Sequence, residues 1–350
     1  MCDINKLVEV LRGECFDKDD SSKQIHDVFL QTHNFPDADA VGSALGLQEI
    51  LKHFGINSKI CYQGELGRYS TRRMADVMEI EMYSVSEIAS ELDGEDVVIC
   101  VDSQKGNANI DDIIGRELAV VDHHPIFVDG DYEYEHIEIV GACSSLVTKY
   151  FIDLGLVPTE KTATALLYGL KMDTLKFTRG VTAFDIEMFA FLHPIANQAQ
   201  LVALDTNNMY LDDLLAYSEA IKNIRIENRI GFTFVDFNCP DALIAILSDF
   251  ILSIEEVEIS VVYCMRENGY KFSVRSETSA INVGHLINKV MMDIGSGGGH
   301  ASMAGGFLPK DSVVMLFTED EINRLKESED IEEAENLLFD KIITRFIENL

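Results

Sequence analysis

Short apolar runs that each end in a carboxylate constrain this fold more than any other feature of the sequence. The run at 118–121 leads directly into Asp122, and the run at 97–101 leads into Asp102. Apolar stretches with helical periodicity separate these runs. Strands that alternate with helices predict a parallel sheet covered on both faces, and such sheets bind their ligands beyond the carboxyl ends of the strands.

The length of 350 residues predicts two domains, because a single core rarely grows beyond about 300 residues. We expect an α/β domain at 1–198 with a doubly wound parallel sheet. A helical connector at 199–228 is expected to join it to a smaller α+β domain at 229–350, which ends in an acidic helical tail. Glycines at 297–299 predict a loop in this second domain.

Charge and composition exclude several kinds of partner. The chain has 60 acidic and 28 basic residues and a formal charge of −32, which disfavours a surface that tracks long nucleic acid. A short anionic substrate remains compatible, because a divalent ion inverts the charge of its surroundings. No signal-type segment and no membrane-spanning apolar run is visible. Seven cysteines without a C-x-x-C pair indicate free thiols in a reducing compartment, so we expect a cytoplasmic protein without a membrane partner.

Side chains that can bind metal lie at or near the predicted strand and helix ends. They are His33, Asp37, Asp39, Asp102, Asp122, His123, His124 and Asp173. Each has an ordinary explanation when taken alone, such as a solvated Asx turn at 37–39. For Asp173 the ordinary explanation is a polar residue at a helix C-terminus, but the helix dipole disfavours an acid there unless a cation lies nearby. Together, the carboxylates and imidazoles favour a site for Mn²⁺, Fe²⁺ or a Mg²⁺-like ion over structural zinc.

In chain order these groups read H-x-x-x-D-x-D, V-D-S, V-D-H-H and M-D-T, and the series resembles the four motifs of the DHH phosphoesterases. The segment G-G-G-H-A-S-M-A-G-G at 297–306 resembles the glycine-histidine signature of the DHH-associated C-terminal domain. The segment S-V-R-S at 273–276 resembles that domain's substrate-binding arginine segment. The resemblance covers roughly residues 25–310 and is strongest to the stand-alone nanoRNase and pAp-phosphatase group.

The resemblance implies two Mn²⁺ ions that activate water, with Mg²⁺ or Co²⁺ as alternatives. It assigns His33, Asp37 and Asp102 to the first ion. It assigns Asp39, Asp102, His123 and Asp173 to the second ion, so that Asp102 bridges the two.

Further roles follow from the same resemblance. His124 would contact the scissile phosphate and protonate the leaving oxygen, and Asp122 would orient a histidine. In the second domain, the substrate-binding residues would be Arg275, Ser276, Gly297, Gly298, Gly299 and His300. For the glycines, a tight turn without a ligand is the alternative.

The expected function is metal-dependent hydrolysis of short nucleotides: oligoribonucleotides, linear dinucleotides such as pApA or pGpG, or the bisphosphate pAp. Hydrolysis of a cyclic dinucleotide or of polyphosphate, and a single-strand exonuclease activity, are alternatives within the enzymes. A nucleotide-binding module without catalysis is an alternative from another class. A homodimer formed through the acidic tail stays open.

Overall fold

The chain forms two compact units, residues 1–208 and 209–350. A computed structural model describes residues 3–350 except 21, 67, 68, 108, 127, 207–210, 212, 329 and 330. The division between the units falls within the predicted connector, whose limits stay a prediction. Among the described residues, no helix is both long enough and apolar enough to cross a membrane.

The sheet of the first unit has six strands: β1 (Val28–Thr32), β2 (Ser58–Tyr62), β3 (Tyr83–Ser84), β4 (Val97–Val101), β5 (Arg116–Asp122) and β6 (Tyr134–Ile137). All neighbouring strands are parallel, and their order is β3-β2-β1-β4-β5-β6. The chain direction across the sheet reverses between β1 and β4. The carboxyl ends of these two strands therefore flank the crevice where doubly wound sheets bind their ligands. The predicted α/β class with a parallel sheet is confirmed.

The helices described in this unit are α1 (Ile4–Cys15), α2 (Ala38–His53), α3 (Tyr69–Val77), α4 (Val85–Ile88), α5 (Cys143–Asp153), α6 (Glu160–Asp173), α7 (Ala183–Leu192) and α8 (Gln198–Thr206). Leu30 and Ile99 lie on one face of the sheet and share a core with α2, α5 and α6. Phe29 and Val98 lie on the opposite face and pack with Ile88 of α4. Side chains alternate between the faces of a strand, so both faces of β1 and β4 are buried.

The second unit has a mixed sheet: β7 (Arg225–Glu227), β8 (Ile230–Val235), β9 (Ile259–Arg266), β10 (Gly269–Ser276), β11 (Ser296–Gly299) and β12 (Met303–Pro309). The strand order is β11-β12-β10-β9-β8-β7, and β8 and β9 form the parallel pair. Its helices are α9 (Asp213–Lys222), α10 (Asp241–Leu252), α11 (Val283–Met291), α12 (Glu319–Ser328) and α13 (Ile331–Glu348), with a 3-10 helix at Lys310–Leu316. One core packs α9 and α10 against one face of this sheet, and a separate core packs α11 and α13 against the other face. The second unit is therefore α+β.

Two local expectations were wrong. The glycine segment predicted as a loop forms β11, because Gly297 and Gly298 pair with Gly306 and Gly305 of β12 and the backbone needs no side chain for that pairing. The connector predicted as helical at 199–228 ends in β7, which pairs antiparallel with β8.

Candidate metal centre

One edge of the first sheet collects all the candidate ligands of that unit. Their positions are His33 after β1, Asp37 and Asp39 at the start of α2, Asp102 after β4, Asp122, His123 and His124 at the end of β5, and Asp173 at the end of α6. Parallel strands end at the same edge of a sheet, so residues far apart in the sequence become neighbours there.

His33, Asp37 and Asp102 form a first group of potential ligands, and a further group joins Asp102 to His123 and His124. Nε2 of His33 lies 3.9 Å from Oδ1 of Asp37 and 3.8 Å from Oδ2 of Asp102. Bonds of about 2.1 Å to one small divalent ion place its ligand atoms roughly 3–4 Å apart. This spacing is therefore that of ligands to one shared ion.

Asp39, His123 and Asp173 form the second group. Nε2 of His123 lies 4.0 Å from Oδ2 of Asp39 and 3.5 Å from Oδ2 of Asp173. The same nitrogen lies 3.3 Å from Oδ1 of Asp102. Asp102 thus directs one carboxylate oxygen at each group.

The Asp102 side chain is held in an unfavourable environment for a carboxylate without a cation. The residue is 2% exposed, and its Oδ1 accepts no hydrogen bond from the described residues. Burial of an ionised group without a partner is costly. An ion between the groups would satisfy this oxygen, and carboxylate and imidazole donors suit Mn²⁺ or a similar hard divalent ion. The residues present therefore fit a divalent-metal centre.

Backbone carbonyls fix the rings of both candidate ligand histidines. Nδ1 of His33 lies 2.8 Å from the carbonyl oxygen of Asn34, and Nδ1 of His123 lies 3.0 Å from that of Val140. A carbonyl oxygen only accepts, so Nδ1 carries the proton in each ring. Nε2 is then the nitrogen that faces the carboxylates and is available to an ion.

The start of α5 holds Asp39. The backbone N–H of Cys143 donates to Oδ2 of Asp39 at 2.7 Å, and that of Ser144 donates to Oδ1 at 2.9 Å. The N-cap of this helix is Ala142, which makes no side-chain cap hydrogen bond, and free N–H groups of the first turn are satisfied by Asp39, a carboxylate from α2.

Asp122 sets the orientation of His124. Oδ1 of Asp122 accepts from Nδ1 of His124 at 2.8 Å and from the backbone N–H of His123 at 2.8 Å. Oδ2 accepts from Nε2 of Gln104 at 2.6 Å. Sequence reasoning missed Gln104, because a glutamine two residues after a strand-end aspartate has no distinctive spacing. Nε2 of His124 is left for other partners.

The candidate substrate-binding residues lie in the second unit. Arg275 is on β10, where its Nε lies 3.2 Å from Oδ1 of Asp249 of α10. Ser276 ends the same strand and donates through its hydroxyl to the Thr278 carbonyl at 3.0 Å. Gly297, Gly298 and Gly299 lie in β11, and the His300 N–H donates to the Met303 carbonyl at 2.7 Å. Their roles toward a substrate stay predictions.

The metal-free centre holds protons that a cation would displace. Burial lowers the pKa of His33 and His123, but the neighbouring carboxylates outweigh it and raise these pKa values to about 9 and about 11. Burial and the other carboxylates also raise the pKa of Asp39 well above its usual range and that of Asp173 to about 6. All four shifts favour the protonated form in the folded protein.

We expect Mn²⁺ to stabilise the protein more strongly as the pH rises from about 6.5 to about 8.5. In the metal-free protein, protonated His33 and His123 stabilise the fold. This stabilisation is fully present below about pH 6.5, the pKa of a histidine in the unfolded chain, and it is lost as the pH rises toward their folded pKa values of about 9 and about 11. Each proton that an ion displaces makes its affinity rise about tenfold per pH unit. Differential scanning calorimetry with Mn²⁺ and with EDTA checks this, and a Tm difference that shrinks with pH would contradict it.

Comparisons with known proteins agree with this fold and centre. Residues 27–170 match the family model described as DHH family, N-terminal domain, and residues 227–329 match the DHHA1 domain. An uncharacterized protein of Methanocaldococcus jannaschii is 26% identical over 287 residues, which cover 81% of this chain and 58% of that protein. This chain thus spans less than two thirds of that relative's length.

Two further relatives cover most of both chains. A probable manganese-dependent inorganic pyrophosphatase of Bacillus cereus is 27% identical over 271 residues, which cover 73% of this chain and 84% of that protein. The crystal structure of an exopolyphosphatase-related protein from Bacteroides fragilis has a TM-score of 0.71 at 18% identity and covers 99% of this chain and 97% of that one. At this identity the structural likeness shows the fold alone.

The class defined by the fold and the centre is an α/β protein of two units with a divalent-metal centre at the switch point of a parallel sheet. The two matched models make the assignment specific. The chain belongs to the DHH family and carries a DHHA1 domain.

Proposed function

We propose that this protein hydrolyses phosphoester bonds of short nucleotides with two Mn²⁺ ions. The observation that carries the proposal is that two ligand groups share Asp102, with a different carboxylate oxygen of Asp102 facing each group. A shared carboxylate suits two ions about 3.5–4 Å apart, the separation used in two-metal hydrolysis of phosphoesters. Mn²⁺-dependent relatives support the choice of metal.

Each ion would have its own set of ligands. His33, Asp37 and Asp102 would hold the first ion. Asp39, Asp102, His123 and Asp173 would hold the second ion. When bound, the ions would activate a water and neutralise charge on the phosphoryl oxygens.

His124 would act on the leaving group. Asp122 accepts the Nδ1 proton, which fixes the ring and leaves Nε2 free to face a substrate. The hydrogen bond that His124 donates to Asp122 raises the pKa of the ring, which favours its protonated form. A protonated Nε2 can donate to the leaving oxygen, as a general acid does.

An exposed aromatic ring supports a nucleotide over an inorganic substrate. Phe35 lies between the candidate ligands His33 and Asp37 and is 61% exposed. Its φ of 54° is unusual for a bulky residue, and strain of this kind concentrates at functional sites. The ring packs against Gly64, where a Cβ atom would lie 2.8 Å from it. An exposed ring that is backed on one side and lies two residues from each of two candidate ligands is suited to stacking on a nucleobase.

In the second unit, Arg275 and the segment 297–300 are proposed to bind the rest of the nucleotide. An arginine offers a planar pair of donors to a phosphate. Ser276 and His300 supply further polar groups, and the glycines allow close approach of the backbone. The formal charge of −32 supports a short substrate rather than a long strand.

A substrate panel tests the proposed function. The full chain with Mn²⁺ is assayed against pAp, pApA, pGpG, a cyclic dinucleotide and inorganic pyrophosphate. We expect turnover of the linear dinucleotides or pAp to exceed that of the other compounds. The pyrophosphatase relatives make pyrophosphate the second candidate, and preferential turnover of it would replace the nucleotide proposal. Turnover of none of these compounds would remove it.

Phe35→Ala is expected to raise the KM for a linear dinucleotide about tenfold, because stacking of one base contributes about 1–3 kcal/mol. We expect kcat and the affinity for Mn²⁺ to stay unchanged, because the change keeps every ligand side chain. Phe35→Tyr keeps the ring and serves as the control. Steady-state kinetics measure the effect, and an unchanged KM in the alanine variant would exclude a stacking role for Phe35.

A further inference from the structure

The backbone at 140–144 positions two candidate ligands of the second ion. The Val140 carbonyl accepts from Nδ1 of His123, and the N–H groups of Cys143 and Ser144 donate to Asp39. The orientations of His123 and Asp39 therefore depend on where this segment lies. What fixes the segment in turn affects the geometry of the metal centre.

Asp185 of α7 holds this segment from both sides. The residue is fully buried, with no exposed surface. Its Oδ2 accepts from the Gly141 N–H at 2.9 Å, and its Oδ1 accepts from the Ser145 hydroxyl at 2.6 Å. A Cβ atom at position 141 would lie 2.7 Å from Oδ2, so glycine permits the close approach.

The same carboxylate also belongs to the capping box of α7. Oδ2 accepts from the Thr182 N–H at 2.8 Å and from the Thr182 hydroxyl at 2.7 Å. Capping requires only the bond from the Thr182 N–H and the reciprocal bond from the Asp185 N–H to the Thr182 hydroxyl at 3.4 Å. The bonds to Gly141 and Ser145 join α7 to the segment that orients the ligands, and they add nothing to the cap.

We propose that Asp185 is a positioning residue of the metal centre, acting through 140–145 on His123 and Asp39. This inference rests on the proposed function, because it takes those two residues as metal ligands. Removing a residue that orients metal ligands through hydrogen bonds typically weakens metal binding about 10–100-fold.

Two variants that each remove one hydroxyl from the same carboxylate separate positioning from capping. Ser145→Ala removes the bond on the side of the metal centre, and Thr182→Ala removes the matched bond on the side of α7. Calorimetric titration of the EDTA-treated full chain with Mn²⁺ measures affinity, and thermal unfolding without metal measures stability. We expect both variants to lower Tm, and Ser145→Ala alone to weaken Mn²⁺ binding, about tenfold.

Changes at Asp185 itself extend the test. Asp185→Ala is expected to weaken Mn²⁺ binding about a hundredfold, because both flanks of the segment lose their acceptor. Asp185→Asn is expected to restore most of the affinity. Its carbonyl oxygen can face Gly141 and Thr182, while its amide donates to the Ser145 hydroxyl. Should Asp185→Ala fail to fold, the comparison of Ser145→Ala with Thr182→Ala decides alone.

The outcomes distinguish this inference from the proposed function. Equal Mn²⁺ affinity in the wild type and Ser145→Ala would overturn the positioning role and leave the proposed function standing. An equal loss of affinity in Thr182→Ala would also overturn it, because capping of α7 would then explain the effect. A wild-type protein that binds Mn²⁺ but hydrolyses none of the panel removes the proposed function, and weaker binding by Ser145→Ala would still support positioning.

Discussion

Asp102→Asn is expected to lose at least roughly a thousandfold in hydrolysis rate and to lose the rise in Tm that Mn²⁺ gives the wild type. Both losses have one cause, because the two ligand groups share this carboxylate. In the metal-free protein its counter-charges are the imidazoles of His33 and His123, whose pKa values it helps to raise. We therefore expect Asp102→Asn to lower the Tm of the metal-free protein as well, because both rings lose a facing negative charge.

Asparagine is the appropriate replacement at this position. The backbone of Asp102 has a φ of 58°, in the left-handed region that asparagine tolerates and alanine disfavours. The amide keeps the size of the side chain and removes its charge. Loss of activity in this variant would therefore report the missing ligand rather than a distorted loop.

Asp96 provides a matched control for Asp102. It is a buried aspartate at the opposite end of the same strand, just before β4. Its oxygens accept from the backbone N–H groups of Asp27 at 2.9 Å and Asp93 at 2.8 Å. We expect Asp96→Asn to lower Tm and to leave Mn²⁺ binding unchanged.

Hydrolysis rates, metal analysis of the loaded protein and thermal unfolding with and without Mn²⁺ measure these effects. We expect the rise in Tm on adding Mn²⁺ to disappear in Asp102→Asn and to persist in Asp96→Asn. An Asp102→Asn protein that keeps full activity would refute the shared carboxylate. A metal-free Asp102→Asn protein more stable than wild type would refute the role of His33 and His123 as its counter-charges.

The edge of the sheet was predictable because it depends on local patterns. Apolar runs of strand length predicted β4 and β5, and the acid that follows each run indicated the ligand-binding edge. The general rule for doubly wound sheets then brings His33, Asp102 and Asp122 together. Their distances follow from the register of the parallel strands, which sequence alone does not fix.

The contacts that orient these residues were not predictable. Gln104 meets Asp122 from a loop, and Asp185 meets Gly141 from a helix 44 positions away. Hydrogen bonds of this kind leave no periodicity or spacing in the sequence. The start of α5 is a related case: Ser144 is a typical N-cap residue, yet the N-cap is Ala142 and a distant carboxylate satisfies the helix N-terminus.

Replacing His124 is expected to separate the chemical step from metal binding. We expect His124→Ala to lower kcat about 10²–10⁴-fold, the usual contribution of a general acid, and to leave Mn²⁺ affinity unchanged. The reason is geometric, because Nδ1 is engaged by Asp122. The alternative is direct ligation, since His124 also lies within reach of Asp102 and His123. A His124→Ala protein that binds Mn²⁺ more weakly would favour ligation.

A substrate with a nitrophenol leaving group tests the acid role directly. Nitrophenolate leaves without protonation, so we expect the defect of His124→Ala to shrink strongly on a nitrophenyl ester of a nucleotide. Asp122→Asn supplies the pH test: the Asp122 carboxylate raises the pKa of His124, so its loss should move the alkaline decline of kcat to lower pH. An equal defect on both leaving groups, with an unmoved pH profile, would assign His124 to binding the phosphate instead of protonating the leaving oxygen.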